Sequence, residues 1–338
     1  KECYEQAIKI NPNYAAAHYN LGAIFKDLGE NQKAKECFEQ AIKINPSYAV
    51  AHNNLGAIFQ ELGEDKKAKS CYEKAIEIDP NYTKAYWNLQ LCASDIDEAL
   101  LILKKLYKID NKHIKAKIMI GALEGYKGNF NYFDEILTSS DINHPYARSI
   151  KWFFSLPKLP DIFFNRFFFF DAIIKLTDNS RPFYEFGVYK GVSFKYLINT
   201  FKKGFGFDTF TGLPEVWDNH PKGTFTNFGL VPKIEGGEFI VGKFEDTLPK
   251  FFSKKKPMAS LINFDADLYS STLCALNNSN KVIDEKTILI FDELIMGEDW
   301  EQDEFKALNE FCDNLGYSYD VIAVSFLTRQ VAVKLKKN

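Results

Sequence analysis

The chain has 338 residues, 46% hydrophobic and 26% charged, with a formal net charge of −3. That length accommodates two domains, and the composition is that of a globular protein. The slightly acidic balance leaves no electrostatic footprint for nucleic acid, and no apolar run reaches the ~18 residues that a membrane-spanning helix needs.

The first third is a repeat. KECYEQAIKINPNYAAAHYNLGAIFKDLGENQKA, residues 1–34, aligns without a gap on KECFEQAIKINPSYAVAHNNLGAIFQELGEDKKA, residues 35–68, and a third copy opens at Lys69. A 34-residue period is that of helix–turn–helix repeats. The chain resembles the tetratricopeptide family in the order Leu21, Gly22, Phe25, Gly29, Ala34, Phe38, Ala41, Pro46, and again from Leu55 to Pro80. Small residues let paired helices approach, aromatics fill the layers between them, and Pro46 and Pro80 end the second helix of each pair. One repeat cannot bury its own face, so the copies must stack. The first residue is Lys with no signal peptide before it, and the opening helix, Lys1 to Asn11, is the second of its pair. The chain is therefore expected to be a trimmed fragment lacking at least one upstream helix. Cys3, Cys37 and Cys71 share the repeat spacing, while Cys92, Cys274 and Cys312 are isolated. With no CxxC or CxxH, neither zinc nor a disulfide framework is expected, and reduced thiols suit a cytoplasmic location.

Asn20, Asn54 and Asn88 recur on the first helix of successive repeats. Such a ladder could hydrogen-bond the backbone of an extended protein or peptide partner, or reflect only a common residue choice at that position. The array could also pack subunits into a homo-oligomer. In the third repeat Gln90 replaces the expected Gly, and residues 95–108 resume with altered lengths, which predicts a capping helix and a repeat domain over 1–110. Residues 111–155 read as a helical connector, with helices at Lys115–Tyr126 and Tyr132–Leu137 and a turn at Gly128. The segment LPKLPDIFFNRFFFF, residues 156–170, is suited to core packing or to an acceptor-site wall.

From Arg181 onward strands and helices alternate, which predicts an α/β domain over 156–338. Strands are expected at Phe183–Phe186, Gly204–Phe207, Phe239–Phe244, Ser260–Phe264 and Ile288–Phe291. A final antiparallel pair is expected at Tyr319–Ser325 and Gln330–Leu335. A mostly parallel, Rossmann-like sheet with a terminal antiparallel hairpin fits the class I methyltransferase architecture. Gly187 and Gly191 lie at a strand-to-helix junction, where glycine allows a tight turn and close ligand approach. The segment is not GxGxxG, so a nicotinamide-linked oxidoreductase is disfavoured. Asp208 ends the next strand, as a ribose acceptor or an ordinary N-cap. Asp265, Asp267, Asp292 and Glu293 end two further strands, where open α/β sheets bind ligands. Carboxylates gathered there need a cation, a proton or a substrate to balance them, and a divalent metal with oxygen ligands is the expected solution.

EFGVYKGVS, GFDTFTGLPE, VGKFEDTLP, FDADLYSST and IFDEL occur in order between about Arg181 and Lys334. In these motifs the chain resembles the macrocin O-methyltransferase family, whose members are S-adenosylmethionine- and Mg²⁺-dependent sugar O-methyltransferases. The resemblance implies that Glu185, Gly187, Gly191 and Ser193 surround the methionine part of S-adenosylmethionine. It places the ribose at Asp208 with Phe210 nearby, the adenine edge at Gly242, Phe244 and Asp246, and the metal at Asp265, Asp292 and Glu293. Glu293 departs from the family's usual Asp. Metal chelation would lower the hydroxyl pKa of a sugar acceptor and fix its orientation. Asp267 is a candidate general base or a helix N-terminal acid. The long loop Leu213 to Gly237 is a candidate lid, and its His220 a candidate base or a surface residue. The alternative reading is an interaction scaffold whose methyltransferase-like domain does not turn over.

Overall fold

The computed structural model describes residues 1–217 and 220–337. The chain divides into two compact units, Lys1–Asp141 and Ile142–Asn338. Among the described residues no helix is long and apolar enough to cross a membrane, and all six cysteines are free.

The first unit is a row of helix pairs. After Glu2–Ile10 come Ala15–Asp27 with Asn31–Ile44, then Ala49–Glu61 with Asp65–Ile78. The repeated glycine explains the pairing distance. A Cβ on Gly22 would sit 2.8 Å from the Phe38 ring, and one on Gly56 would sit 2.7 Å from Tyr72. Phe38 and Tyr72 are fully buried between flanking alanines that are also fully buried. Each first helix ends on a left-handed glycine, Gly29 (φ 65°) and Gly63 (φ 73°). The following N–H reaches back to a carbonyl five residues earlier, Glu30 to Phe25 and Glu64 to Phe59.

The altered third repeat turns out to be a shortened one. Its first helix, Thr83–Leu89, tightens into a 3₁₀ turn at Gln90–Cys92 before Ile96–Ile109 begins. The buried alanines Ala17, Ala51, Ala85 and Ala116 mark equivalent positions, and only the last interval falls short of the repeat period. Residues 111–155 do not form a separate body. Ile114–Tyr126 and Asn131–Leu137 make a fourth helix pair of the first unit. Gly128 (φ 92°) stands where Gly29 and Gly63 stand, again with a bond from the next residue, Asn129, back to Glu124. Gly121 packs on Ile136 where Gly22 packs on Phe38. Pro145–Ser155 belongs to the second unit.

The second unit is built on an eight-stranded mixed sheet. Its strands are β1 (Asp161–Phe163), β2 (Phe183–Phe186), β3 (Gly204–Asp208), β4 (Gly237–Val241), β5 (Leu261–Phe264), β6 (Ile288–Phe291), β7 (Tyr317–Ser325) and β8 (Gln330–Lys337). Their spatial order is β1-β7-β8-β6-β5-β2-β3-β4. All neighbours are parallel except β8, which is antiparallel to both β6 and β7. β2, β5 and β6 are buried at every position, as central parallel strands covered on both faces should be.

Two elements differ from the sequence expectation. β4 stops at Val241 rather than running to Phe244. Gly242 takes φ 137° and the helix Phe244–Phe252 begins immediately after Lys243, so the GKFED segment is a helix start. The Phe-rich stretch contains the unanticipated edge strand β1, which covers the open side of β7. It then forms the helix Arg166–Ile174, whose Phe169 and Phe170 are fully buried in the main core cluster. These phenylalanines are core residues, and the charged residue at the head of the same helix faces the site.

Candidate functional site

Four phenylalanines level the strand ends. Phe207, Phe186, Phe264 and Phe291 pair in register across β3, β2, β5 and β6. Their rings stack in sequence at centroid distances of 4.8, 5.4 and 4.8 Å, and all four are fully buried. The residue after each phenylalanine is therefore delivered to one rim: Asp208, Gly187, Asp265 and Asp292. All four line a cavity of about 330 Å³. It lies where β2 and β5 diverge to opposite halves of the sheet, the crevice in which open α/β folds bind ligands.

The glycine is dictated by geometry. Gly187 has φ 90°, and a Cβ there would stand 1.7 Å from the carbonyl oxygen of Asp265. Gly191 (φ 73°) then caps the helix Val192–Phe201. Asp208 ties this turn to β3. Its Oδ2 accepts from the backbone N–H of Val188 (2.8 Å) and Tyr189 (2.6 Å), and its Oδ1 from Phe210 (2.7 Å). A carboxylate offers about four lone-pair sites, so the residue still has acceptor capacity toward the cavity.

Glu185 points the other way, into the sheet. It is fully buried, Oε1 accepts from the Ser193 hydroxyl at 3.1 Å, and Oε2 has no hydrogen-bond partner. It faces Asn263 in register across β2 and β5. Burial pushes its pKa up to about 8, against the opposing pull of Ser193 and Arg166. Of the other cofactor candidates, Phe244 lines the cavity, whereas Gly191, Ser193, Phe210, Gly242 and Asp246 do not. Asp246 is exposed, and its neighbour Glu245 takes the lining position. Tyr189, Phe225 and Phe244 supply aromatic walls suited to a flat heterocycle.

Asp265, Asp267, Asp292 and Glu293 all reach the cavity. Burial, followed by the Asp292 charge, pushes the Asp265 carboxyl well above its ordinary range. Burial, then Glu293 and Asp292, does the same to Asp267, which is held at φ 59°, a left-handed conformation uncommon outside glycine. The structure departs here from the metal set that the resemblance implies. Both oxygens of Asp292 are engaged, Oδ2 by Arg166 Nη2 and Oδ1 by Gln330 Nε2, each at 2.6 Å. Oε2 of Glu293 accepts from Arg329 Nη1 at 2.6 Å. Among the described residues no group of three or more His, Cys, Asp or Glu side chains is placed to hold a metal ion. Asp265, Asp292 and Glu293 thus do not fit a divalent cation in this arrangement, because two of the three carboxylates are already charge-paired, Asp292 with Arg166 and Glu293 with Arg329.

His220 does not line the cavity. Its ring stacks on Trp217 at 5.6 Å and lies 5.1 Å from Phe225, which does. Asp218 and Asn219 of the expected lid fall outside the described residues. On its remaining length the loop is anchored to the site by the N–H groups of Asn227 and Gly229, both donating to the Phe210 carbonyl. Arg166, Lys243 and Glu245 are the charged cavity residues that sequence reasoning missed. The repeated pattern of a phenylalanine followed by Gly or Asp at four strand ends was an available signal for the rim, whereas nothing local marked Arg166.

In the first unit the asparagine ladder is half-buried and linked between repeats. Asn54 Nδ2 donates to the Tyr19 hydroxyl at 3.1 Å and Asn88 Nδ2 to Asn53 Oδ1 at 3.0 Å. Both bonds span 35 residues, so each ties an asparagine to the residue just before its counterpart in the preceding repeat, and part of the ladder's capacity is spent on stacking.

Residues 15–48 and 49–82 match the tetratricopeptide repeat family. Among solved structures the chain is similar to MamA, with 26% identity over 40% of this chain and 82% of that one, at a TM-score of 0.37. It is similar to MamA of Desulfovibrio magneticus RS-1, with 20% identity over 40% of this chain and 80% of that one, at 0.36. It is also similar to PilF of Pseudomonas aeruginosa, with 20% identity over 39% of this chain and 63% of that one, at 0.36. No curated protein matches the chain. The N-terminal region therefore carries tetratricopeptide repeats, an architecture whose stacked helices form extended surfaces for protein partners.

Proposed function

We propose that the second unit is a class I methyltransferase domain. In this reading it binds S-adenosylmethionine at the rim of β2, β3 and β5 and transfers the methyl group to an oxygen, with a sugar hydroxyl as acceptor. The repeats hold a protein or peptide partner. The observation that carries the catalytic part is the strand order. β4-β3-β2-β5-β6 is the doubly wound arrangement, extended by the antiparallel β8 and then by β7, which runs with the parallel set, and the cavity sits at its switch point. Charge supports the same reading. Six carboxylate residues line the cavity (Asp208, Glu245, Asp265, Asp267, Asp292 and Glu293) against two cationic ones, Arg166 and Lys243. With Asp292 and Glu293 paired to Arg166 and Arg329, the remaining acids, Asp208, Glu245, Asp265 and Asp267, still outnumber Lys243, which favours a ligand bearing positive charge, as a sulfonium with an α-ammonium group does.

In the transfer the acceptor oxygen attacks the methyl carbon, the carbon–sulfur bond breaks and its electron pair stays on sulfur. The hydroxyl proton goes to a carboxylate. Asp265 and Asp267 suit that role, because both line the cavity and burial, which holds their carboxyls above the ordinary range, makes each a stronger base than a free carboxylate. No metal ion enters the reading. Incubation with S-adenosylmethionine and a panel of sugar acceptors tests it by release of S-adenosylhomocysteine. Asp265→Asn should abolish release while the folded circular-dichroism spectrum persists, and unchanged turnover would remove Asp265 from the reaction.

A second reading is a partner-binding scaffold whose methyltransferase-like unit binds without turnover. Two observations favour it: the family match falls wholly on the repeats, and Asp292 and Glu293 are neutralised by arginines. Binding of S-adenosylmethionine with no product over the whole acceptor panel, and partner capture by residues 1–141, would decide for it.

A further inference from the structure

The carboxylates at the ends of β5 and β6 have a partner drawn from far away in the chain. Arg166 opens the helix Arg166–Ile174, and the Asn165 side chain fixes that opening by accepting from the N–H groups of Phe167 (3.0 Å) and Phe168 (2.9 Å). From this capped start the guanidinium lines the cavity and places Nη2 2.6 Å from Asp292 Oδ2. The second oxygen of Asp292 is held by Gln330, a fully buried side chain whose own Oε1 lies 3.1 Å from the Thr328 hydroxyl. That contact orients the amide nitrogen toward Asp292. Arg329 holds Glu293 from the same turn, and the Glu293 N–H donates to buried Glu304 at 3.1 Å. The side-chain oxygens of Asp292 and Glu293 thus accept from three donors, Arg166, Gln330 and Arg329.

We propose that Arg166 supplies at this rim the positive charge that the sequence resemblance assigns to a divalent cation, so that the cavity binds its ligands without a metal ion. The physical case is one of competition for the same oxygens. A divalent ion binds carboxylate oxygens directly and prefers several of them converging. A guanidinium presents directed N–H donors, is always charged and loses less hydration than an ammonium would on entering such a place. With Oδ1 and Oδ2 of Asp292 each already accepting from a directed donor, a metal ion bound there would sit beside the Arg166 guanidinium, cation against cation. The sequence hides the arrangement because Arg166 lies within the phenylalanine-rich stretch, before the alternating strands and helices begin.

The proposal concerns the cavity of the methyl-transfer reading and deepens it, and its test separates the two. The first arm titrates the full chain with Mn²⁺, reading free ion by electron paramagnetic resonance. The wild type should bind no stoichiometric Mn²⁺ up to millimolar concentration. Arg166→Met should gain a site at least tenfold tighter, and Asp265→Asn in that background should remove it. Arg166→Lys, which keeps the charge and the helix start, should stay silent. One Mn²⁺ per wild-type chain, lost in Asp265→Asn, would overturn the proposal, as would an Arg166→Met chain, folded by circular dichroism, that gains nothing. The second arm measures S-adenosylmethionine affinity in EDTA and in Mg²⁺. The two values should agree within twofold, and a tenfold gain with Mg²⁺ would count against the proposal. If the cofactor binds in neither, the methyl-transfer reading fails, and the Mn²⁺ arm still decides the charge assignment.

Discussion

Single residues at the rim answer to identifiable forces. Gly187 is required by the 1.7 Å approach of the Asp265 carbonyl and by its positive φ. Gly187→Ala should therefore cost on the order of 1–3 kcal/mol of stability, the scale of overpacking, with the midpoint of urea unfolding as the readout. Asp208→Ala should weaken S-adenosylmethionine binding by about 1–3 kcal/mol, the scale of a lost buried hydrogen-bonding group, and unaltered affinity in a calorimetric titration would sink the ribose assignment. Glu185 predicts a pH dependence. Its folded pKa of about 8 lies above the ordinary 4.5. Below 4.5 the carboxyl is protonated in both states. As pH rises the unfolded carboxyl ionises first, so stability falls progressively until the folded group ionises near pH 8. Glu185→Gln should remove this term, so its stability relative to wild type should rise by on the order of a few kcal/mol between about pH 5 and pH 8. A difference that stays flat with pH would show that Glu185 is already ionised in the fold. Gly187, Asp208 and Asp265 were legible in the sequence because each ends a recognisable apolar strand. Arg166 was not, since 126 residues separate it from Asp292 and only the closed fold brings them together.

At the level of elements, the phenylalanine stack across β3, β2, β5 and β6 sets the height of the rim. Phe264 sits inside it, with ring neighbours on both sides. Phe264→Ala should cost about 3–5 kcal/mol in stability through the cavity it leaves, and Phe264→Leu markedly less. Equal losses in chemical denaturation would mean that the stack contributes little. Strand existence was readable from short apolar runs, but β1 was not, because three residues inside an aromatic stretch carry no period of their own. The end of β4 was misplaced because an apolar run continued past Gly242 into a helix. In the repeats, 34-residue self-similarity exposed the first pairs at once. The fourth pair escaped because the shortened third repeat shifts Ala116, Gly121 and Gly128 out of that period while their packing roles persist. Gly56→Ala should push a methyl against the Tyr72 ring and destabilise the first unit by about 1–3 kcal/mol, which thermal unfolding of residues 1–141 would register.

Across the whole molecule the chain divides into two compact units, and the proposed function assigns a protein partner to the repeats and a cationic cofactor to the switch-point cavity of the second unit. The rim residues, the cavity and the charge-balancing arginine all lie within residues 142–338. The central claim is cofactor binding by that second unit, and calorimetric titration of the full chain and of residues 142–338 with S-adenosylmethionine and S-adenosylhomocysteine tests it most directly. The account predicts micromolar, one-to-one binding of both ligands to both proteins, with Asp208→Ala weakened. An absence of heat and of thermal stabilisation with either ligand, in a full chain that is demonstrably folded, would contradict it.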